Sequence, residues 1–173
     1  MKHNVYLIGF MGTGKSTVSR LLSESLGAAV TDTDEAIVRW QDRSIKEIFE
    51  LQGEEHFRNL ETELLSRTGE SEPGIISCGG GIVLREENRK LMKKYGVTVL
   101  LKASPETIYA RVKENTERPV LNSNMSVAYI TELMEKRAVY YEEAGEIVID
   151  TDGKTPREIS EEIMKKLKNK KIF

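Results

Sequence analysis

Val5-Tyr6-Leu7-Ile8-Gly9-Phe10-Met11-Gly12-Thr13-Gly14-Lys15-Ser16-Thr17 is the stretch that decides the fold. Residues 5–8 are a short continuous apolar run, the character of a strand buried on both faces. Val18, Leu21, Leu22 and Leu26 then recur at helical spacing, and Gly27 ends the run. Between them, residues 9–16 match G-x-x-x-x-G-K-[ST]. Glycines let the backbone turn tightly and aim successive N–H groups at phosphate oxygens. The following helix start adds unpaired donors and partial positive charge. Lys15 can reach β- and γ-phosphates, the Ser16 hydroxyl can ligate magnesium, and Thr17 can bond the phosphates. A tight turn with a chance lysine would show the same letters, but strand and helix both stand where a phosphate cradle requires them. Read alone, the segment points to a nucleoside triphosphate and is silent about any acceptor.

Outward from this loop, apolar runs and amphipathic stretches alternate. Strands are expected at 28–31, 74–77, 97–101 and 146–149. Helices are expected at 34–40, 45–67, 86–95, 105–113, 127–143 and 156–168, with polar breaks near 42–44 and Gly53. Residues 114–124 are polar, with one proline and no periodicity, and read as a mobile loop. Strands alternating with helices imply parallel pairing through right-handed crossovers. The expectation is therefore an α/β fold of three layers, about five parallel strands flanked by helices.

The 173 residues show no long compositional break, which favours one domain over two. A net charge of −2 does not favour nucleic acid or an anionic membrane as a general partner. Cys78 is the single cysteine, so no internal disulfide can form and a reducing compartment is expected. The apolar run at 5–8 is too short for a signal-peptide core or a membrane span, and the chain reads as cytoplasmic.

Phosphoryl transfer also needs a carboxylate near the metal and a group to accept the nucleophile's proton. Asp32-Thr33-Asp34 follows the second expected strand and Asp150 the fifth. Both are eligible, because ligands gather beyond the carboxyl ends of parallel strands. In extended chain, Asp32 and Asp34 would point to one side, one to the metal and one to an acceptor hydroxyl. Capping of the next helix explains the same letters equally well. Gly79-Gly80-Gly81 would let a ligand approach backbone N–H groups. Arg58, Arg111, Arg118 and Arg137 carry planar forked donors suited to carboxylate or phosphate, although a surface arginine is the ordinary alternative for each. Phe49 and Phe57 read as core residues, and His3, His56, Cys78 and Trp40 are assigned no role.

Together these segments resemble the shikimate kinase family, in order and over essentially the whole chain. Residues 9–17 resemble its phosphate loop, Asp32-Thr33-Asp34 its D-x-D element, and residues 53–61 its G-E-x-x-F-R-x-x-E segment. Gly79-Gly80-Gly81, Arg118-Pro119-Val120-Leu121 and Arg137-Ala138-Val139-Tyr140-Tyr141 resemble its triple glycine, its R-P-L-L lid and its R-x-x-x-Y helix. Cys78, where the family often has threonine, and Val120, in place of the first lid leucine, are the departures.

The resemblance implies a single P-loop kinase domain over 1–173, with a substrate-binding segment at about 33–61 and a lid at about 112–124. It implies ATP as co-substrate, one magnesium ion per subunit held by Ser16 and Asp32, and phosphorylation of shikimate by a monomer. Gly12, Thr13, Gly14, Lys15, Ser16, Thr17, Arg111, Arg118 and Lys154 would bind ATP. Asp34, Arg58, Gly79, Gly80, Gly81 and Arg137 would bind the acceptor. Lys15, Asp34 and Arg118 would be catalytic, with Asp34 as general base. The resemblance also tells against Asp150 as the metal residue. A same-fold kinase for gluconate or a nucleoside monophosphate is the nearest competing reading, and a nucleotide switch without turnover is the more distant one.

Overall fold

The computed structural model describes residues 3–113 and 126–172. Five strands run β1 (Asn4–Ile8), β2 (Val30–Asp32), β3 (Ile75–Ser77), β4 (Gly96–Lys102) and β5 (Ile147–Asp150). Seven helices run α1 (Lys15–Leu26), α2 (Thr33–Gln41), α3 (Ile45–Gly69), α4 (Glu86–Tyr95), α5 (Pro105–Lys113), α6 (Val127–Ala144) and α7 (Pro156–Asn169). The sheet is wholly parallel in the order β2-β3-β1-β4-β5. This is the expected α/β architecture.

Every residue of β1 is buried, because the strand lies centrally and both faces are covered. Alternation along it divides the core. Val5 and Leu7 face Val18 and Leu22 of α1 and Ile159, Ile163 and Leu167 of α7. Tyr6 and Ile8 face the opposite layer, with Leu65, Met92, Ile108, Ile130 and Tyr141. A smaller cluster of Ile37, Ile48, Phe57 and Leu60 joins α2 to α3, and Phe49 packs against it.

Boundaries differ from expectation where local bonds compete. The second strand begins at Val30 rather than residue 28, since Ala28 is used in closing α1. Its N–H donates to Ser23 O and its carbonyl accepts from Ser23 Oγ. The expected break at Gly53 is a sharp turn inside α3, at φ 82° and ψ 167°. A 3₁₀ turn at Ile82–Leu84, which periodicity did not suggest, follows the triple glycine. Arg118 and residues 114–124 of the expected lid lie outside the described residues.

Candidate active site

The site forms at the carboxyl ends of β1, β2 and β3. The phosphate loop leaves β1 at Gly9, where a Cβ would lie 2.5 Å from Leu101 O and 2.9 Å from Thr13 Oγ1. The loop closes on itself, as Thr13 Oγ1 donates to Phe10 O over 2.8 Å. Gly14 caps α1 with a left-handed backbone (φ 91°), no side-chain cap bond and no acidic residue in the first turn. By contrast, α2, α3, α6 and α7 are capped by Asp32, Ser44, Ser126 and Thr155. Lys15 Nζ folds back over the loop, donating to Gly9 O at 2.8 Å and Phe10 O at 3.0 Å. Thr17 is exposed on the first turn of α1.

Asp32 caps the next helix with one carboxylate oxygen and turns the other to the phosphate loop. Its Oδ1 accepts from Asp34 N (3.1 Å) and Glu35 N (3.3 Å), capping α2. Its Oδ2 accepts from Ser16 Oγ at 3.0 Å, across from the end of the phosphate loop. Ser77 Oγ, at the end of β3, lies 3.5 Å from Ser16 Oγ. Hydroxyl and carboxylate oxygens are hard donors, the type magnesium takes when phosphates and water complete its shell.

The triple glycine is shaped by what crowds it. A Cβ on Gly79 would lie 2.5 Å from Asp34 Oδ1. On Gly81 it would lie 2.6 Å from Arg58 Nη2 and 2.7 Å from Arg58 Cζ. Gly81 has an ordinary backbone (φ −94°, ψ 0°), so space rather than conformation excludes a side chain there. A Cβ on Gly80 would lie 3.7 Å from Met11 N, so this turn abuts the phosphate loop. Thr33, between the two aspartates and fully buried, accepts from Gly79 N at 2.8 Å and ties the turn to α2.

Two side chains that had no assigned role hold this arrangement. Glu61 accepts from Arg58 Nη1 at 2.7 Å and is only 1% exposed, and its Oε1 has no hydrogen-bond partner among the described residues. Burial pushes its carboxyl up to about 7, against the opposing pull of Arg58; Asp34 adds to the rise. For Arg58, burial alone would weaken the charge, but Glu61 and Glu54 outweigh it and its pKa is raised. The two partners thus pull opposite ways, the arginine toward an ion pair and the carboxyl toward neutrality. The direction for Glu61 rests on its near-complete burial and its unpartnered oxygen. Tyr141 is the second, and its hydroxyl donates to Gly80 O. Glu61 and Tyr141 were legible only as letters of G-E-x-x-F-R-x-x-E and R-x-x-x-Y. A buried position for each could have been read from their helical phase.

The remaining candidates fall in two places. Arg137, on α6, holds its guanidinium 6.0 Å from the Phe10 ring centre, beside the phosphate loop. Arg111 lies on the other side of that loop, donating to Gly12 O (3.1 Å), Thr151 Oγ1 (3.3 Å) and Thr151 O (3.3 Å). Lys154 belongs to the same β5–α7 turn through its N–H to Thr151 O, while its amine pairs with Glu162 at 2.7 Å. Asp150 Oδ1 accepts from Asp152 N in that turn. Burial pushes the Cys78 thiol up, as befits an inert core sulfur. Trp40 stacks under Arg67 on the outer surface.

The family model for shikimate kinase matches residues 11–168. A shikimate kinase of Thermodesulfovibrio yellowstonii is 43% identical over 162 residues, covering 94% of this chain and 93% of that one. The structure of a shikimate kinase from Acinetobacter baumannii in complex with shikimate superposes with a TM-score of 0.91 at 31% identity. That match spans 99% of this chain and 96% of the other. A gluconokinase from Sinorhizobium meliloti, at 18% identity and a TM-score of 0.62, covers 97% of this chain and 93% of its own and shares the fold alone.

Proposed function

Since the chain belongs to the shikimate kinase family, we propose that it transfers the γ-phosphoryl group of ATP to the 3-hydroxyl of shikimate, giving 3-phosphoshikimate and ADP. The observation that carries this reading is the meeting of two half-sites at Gly80, with the phosphate loop on one side and the Asp34–Gly79 and Arg58–Gly81 contacts on the other.

On the nucleotide side, the N–H groups of Gly12, Thr13 and Gly14 and the uncapped start of α1 receive the phosphates. Lys15 leaves the loop carbonyls for the β- and γ-phosphates, and Ser16 and Thr17 follow it at the helix start. Lys15 neutralises charge that grows on the moving phosphoryl oxygens. Ser16 and Asp32 would hold magnesium, which would supply neutralisation of the phosphate charge. Arg111 and Lys154, flanking the β5–α7 turn, serve the base end of ATP. Arg118 is assigned to the phosphates by family resemblance, with the lid at 112–124.

On the acceptor side, the segment 33–61 contributes Asp34 and Arg58, and the triple glycine and Arg137 complete the pocket. Asp34 takes the proton of the attacking hydroxyl. Arg58 and Arg137 bind the carboxylate of the acceptor as planar forks. Two guanidinium groups suit a hydroxylated acid better than a nucleotide acceptor, which would require a base pocket. Exclusion of water from this site keeps ATP from being hydrolysed instead. No described helix is long and apolar enough to cross a membrane. A cytoplasmic monomer is the family expectation, and a dimer mass in light scattering would correct the oligomeric part of it.

The decisive experiment follows ADP release with ATP, magnesium and shikimate. Wild type is expected to turn over only when shikimate is present. Asp34→Asn is expected to lose on the order of a hundred- to ten-thousandfold in kcat. Wild-type ADP release no faster with shikimate than without it would reject the acceptor, and gluconate and nucleoside monophosphates would be tried next.

A further inference from the structure

Tyr141 closes the R-x-x-x-Y segment, four residues after Arg137 and therefore on the same face of α6. Its ring is buried in the core layer shared with Tyr6, Ile8 and Ile130. Phenylalanine would fill that volume equally well, so the hydroxyl needs its own explanation. The hydroxyl donates to Gly80 O, the middle carbonyl of the triple glycine. The Arg137 guanidinium, one helical turn back, sits close enough to the same hydroxyl to favour its charged form. With one proton committed to Gly80, the phenolic oxygen has lone pairs left to accept from a guanidinium. One atom thus joins two groups that come from different elements and that both face the acceptor.

We infer that Tyr141 is a positioning residue for the acceptor, its hydroxyl holding the Arg137 guanidinium and the Gly80 peptide in mutual register. The inference rests on the reading of Arg137 and Gly80 as acceptor contacts. Its mechanism is geometric. Fixing the Gly80 carbonyl toward Tyr141 turns the Gly81 N–H of the same planar peptide to the opposite side. Holding the Arg137 guanidinium removes rotamer freedom from a long side chain, whose other neighbour is the Phe10 ring. The hydroxyl keeps its proton throughout the working range. Burial pushes it up to about 12, although Arg137 and Arg58 pull the other way. A tyrosine that merely satisfied its polar tip would need only the carbonyl; the cation beside it is what gives the group a role in binding.

The test is a cycle of Tyr141→Phe, Arg137→Ala and the double variant, assayed in shikimate and in ATP separately. Tyr141→Phe is expected to raise the KM for shikimate on the order of tenfold, with kcat and the KM for ATP within about twofold of wild type. In the Arg137→Ala background the same change is expected to raise the shikimate KM much less, because the hydroxyl acts largely through that guanidinium. Unchanged shikimate KM in Tyr141→Phe overturns the inference, as does full additivity in the double variant. So does a fall in kcat and Tm together with a rise in both KM values, which would mark a structural hydroxyl. If Arg137→Ala itself leaves the shikimate KM unchanged, the underlying assignment of Arg137 falls and the inference with it. If only Tyr141→Phe is silent, the inference alone falls.

Discussion

Glu61 shows how one buried atom can set the behaviour of a site. Its carboxyl is paired with Arg58 yet raised to about 7, since burial costs the charged form more than the arginine returns. A raised carboxyl binds its proton more tightly in the folded state. Its stabilisation is therefore fully present below about pH 4.5 and is lost as pH rises through about 7. Glutamine cannot ionise, so Glu61→Gln removes that dependence. The difference in unfolding free energy between wild type and Glu61→Gln is expected to change by on the order of 3 kcal/mol across that window. Urea denaturation at several pH values reads it directly. Parallel curves for the two proteins would mean that the Glu61 carboxyl titrates alike in the folded and unfolded chain. Motif letters mark this position, but the shift depends on burial that only packing of α3 against the triple glycine creates.

Within elements, α3 is the one whose shape bears on binding. Ser44 starts it with a capping box, accepting from Glu47 N while Glu47 returns a bond to Ser44 N. Gly53 then breaks it with φ 82° and ψ 167°, a region that residues with a Cβ rarely occupy. Open space surrounds a Cβ there, so strain rather than collision opposes substitution. The turn aims the following segment so that Arg58 lies against Gly81 and Arg85 reaches Asn59 and Glu55. Gly53→Ala is expected to cost roughly 1–3 kcal/mol of stability. It is also expected to raise the KM for shikimate while leaving that for ATP near wild type. Thermal denaturation and a two-substrate kinetic comparison check both halves. An equal rise in both KM values would show that the kink is not specific to the acceptor side.

Across the whole molecule, the parallel sheet sets the site's location. With β1 between β3 and β4, the phosphate loop and the triple glycine leave adjacent strand ends and must meet. Binding there stabilises the fold by mass action. Shikimate at about a hundred times its dissociation constant is expected to add about 2.7 kcal/mol, roughly 5–10 °C in Tm for a chain of this size. ATP with magnesium is expected to produce a separate rise that chelation of the metal reduces. A rise with ATP and none with shikimate would break the acceptor assignment while leaving the phosphate loop intact.

Local signals alone determined much of this protein. The apolar run at 5–8, the glycines and lysine after it, and the helical spacing beyond specify a phosphate loop, because each depends on neighbours close in the chain. The alternation of elements likewise led to the parallel α/β sheet. Tertiary structure decided what depends on residues far apart. Asp32 caps a helix with one oxygen and meets Ser16 with the other, because the carboxyl ends of the sheet bring them together. The second strand starts at Val30, since closing α1 claims Ala28 before the sheet can. Gly79 and Gly81 are small for the sake of Asp34 and Arg58, dozens of residues earlier. The Tyr141 hydroxyl gains Gly80 O as its acceptor only once α6 packs beside the triple glycine. Steric room and burial are properties of the packed chain, and no local window contains them.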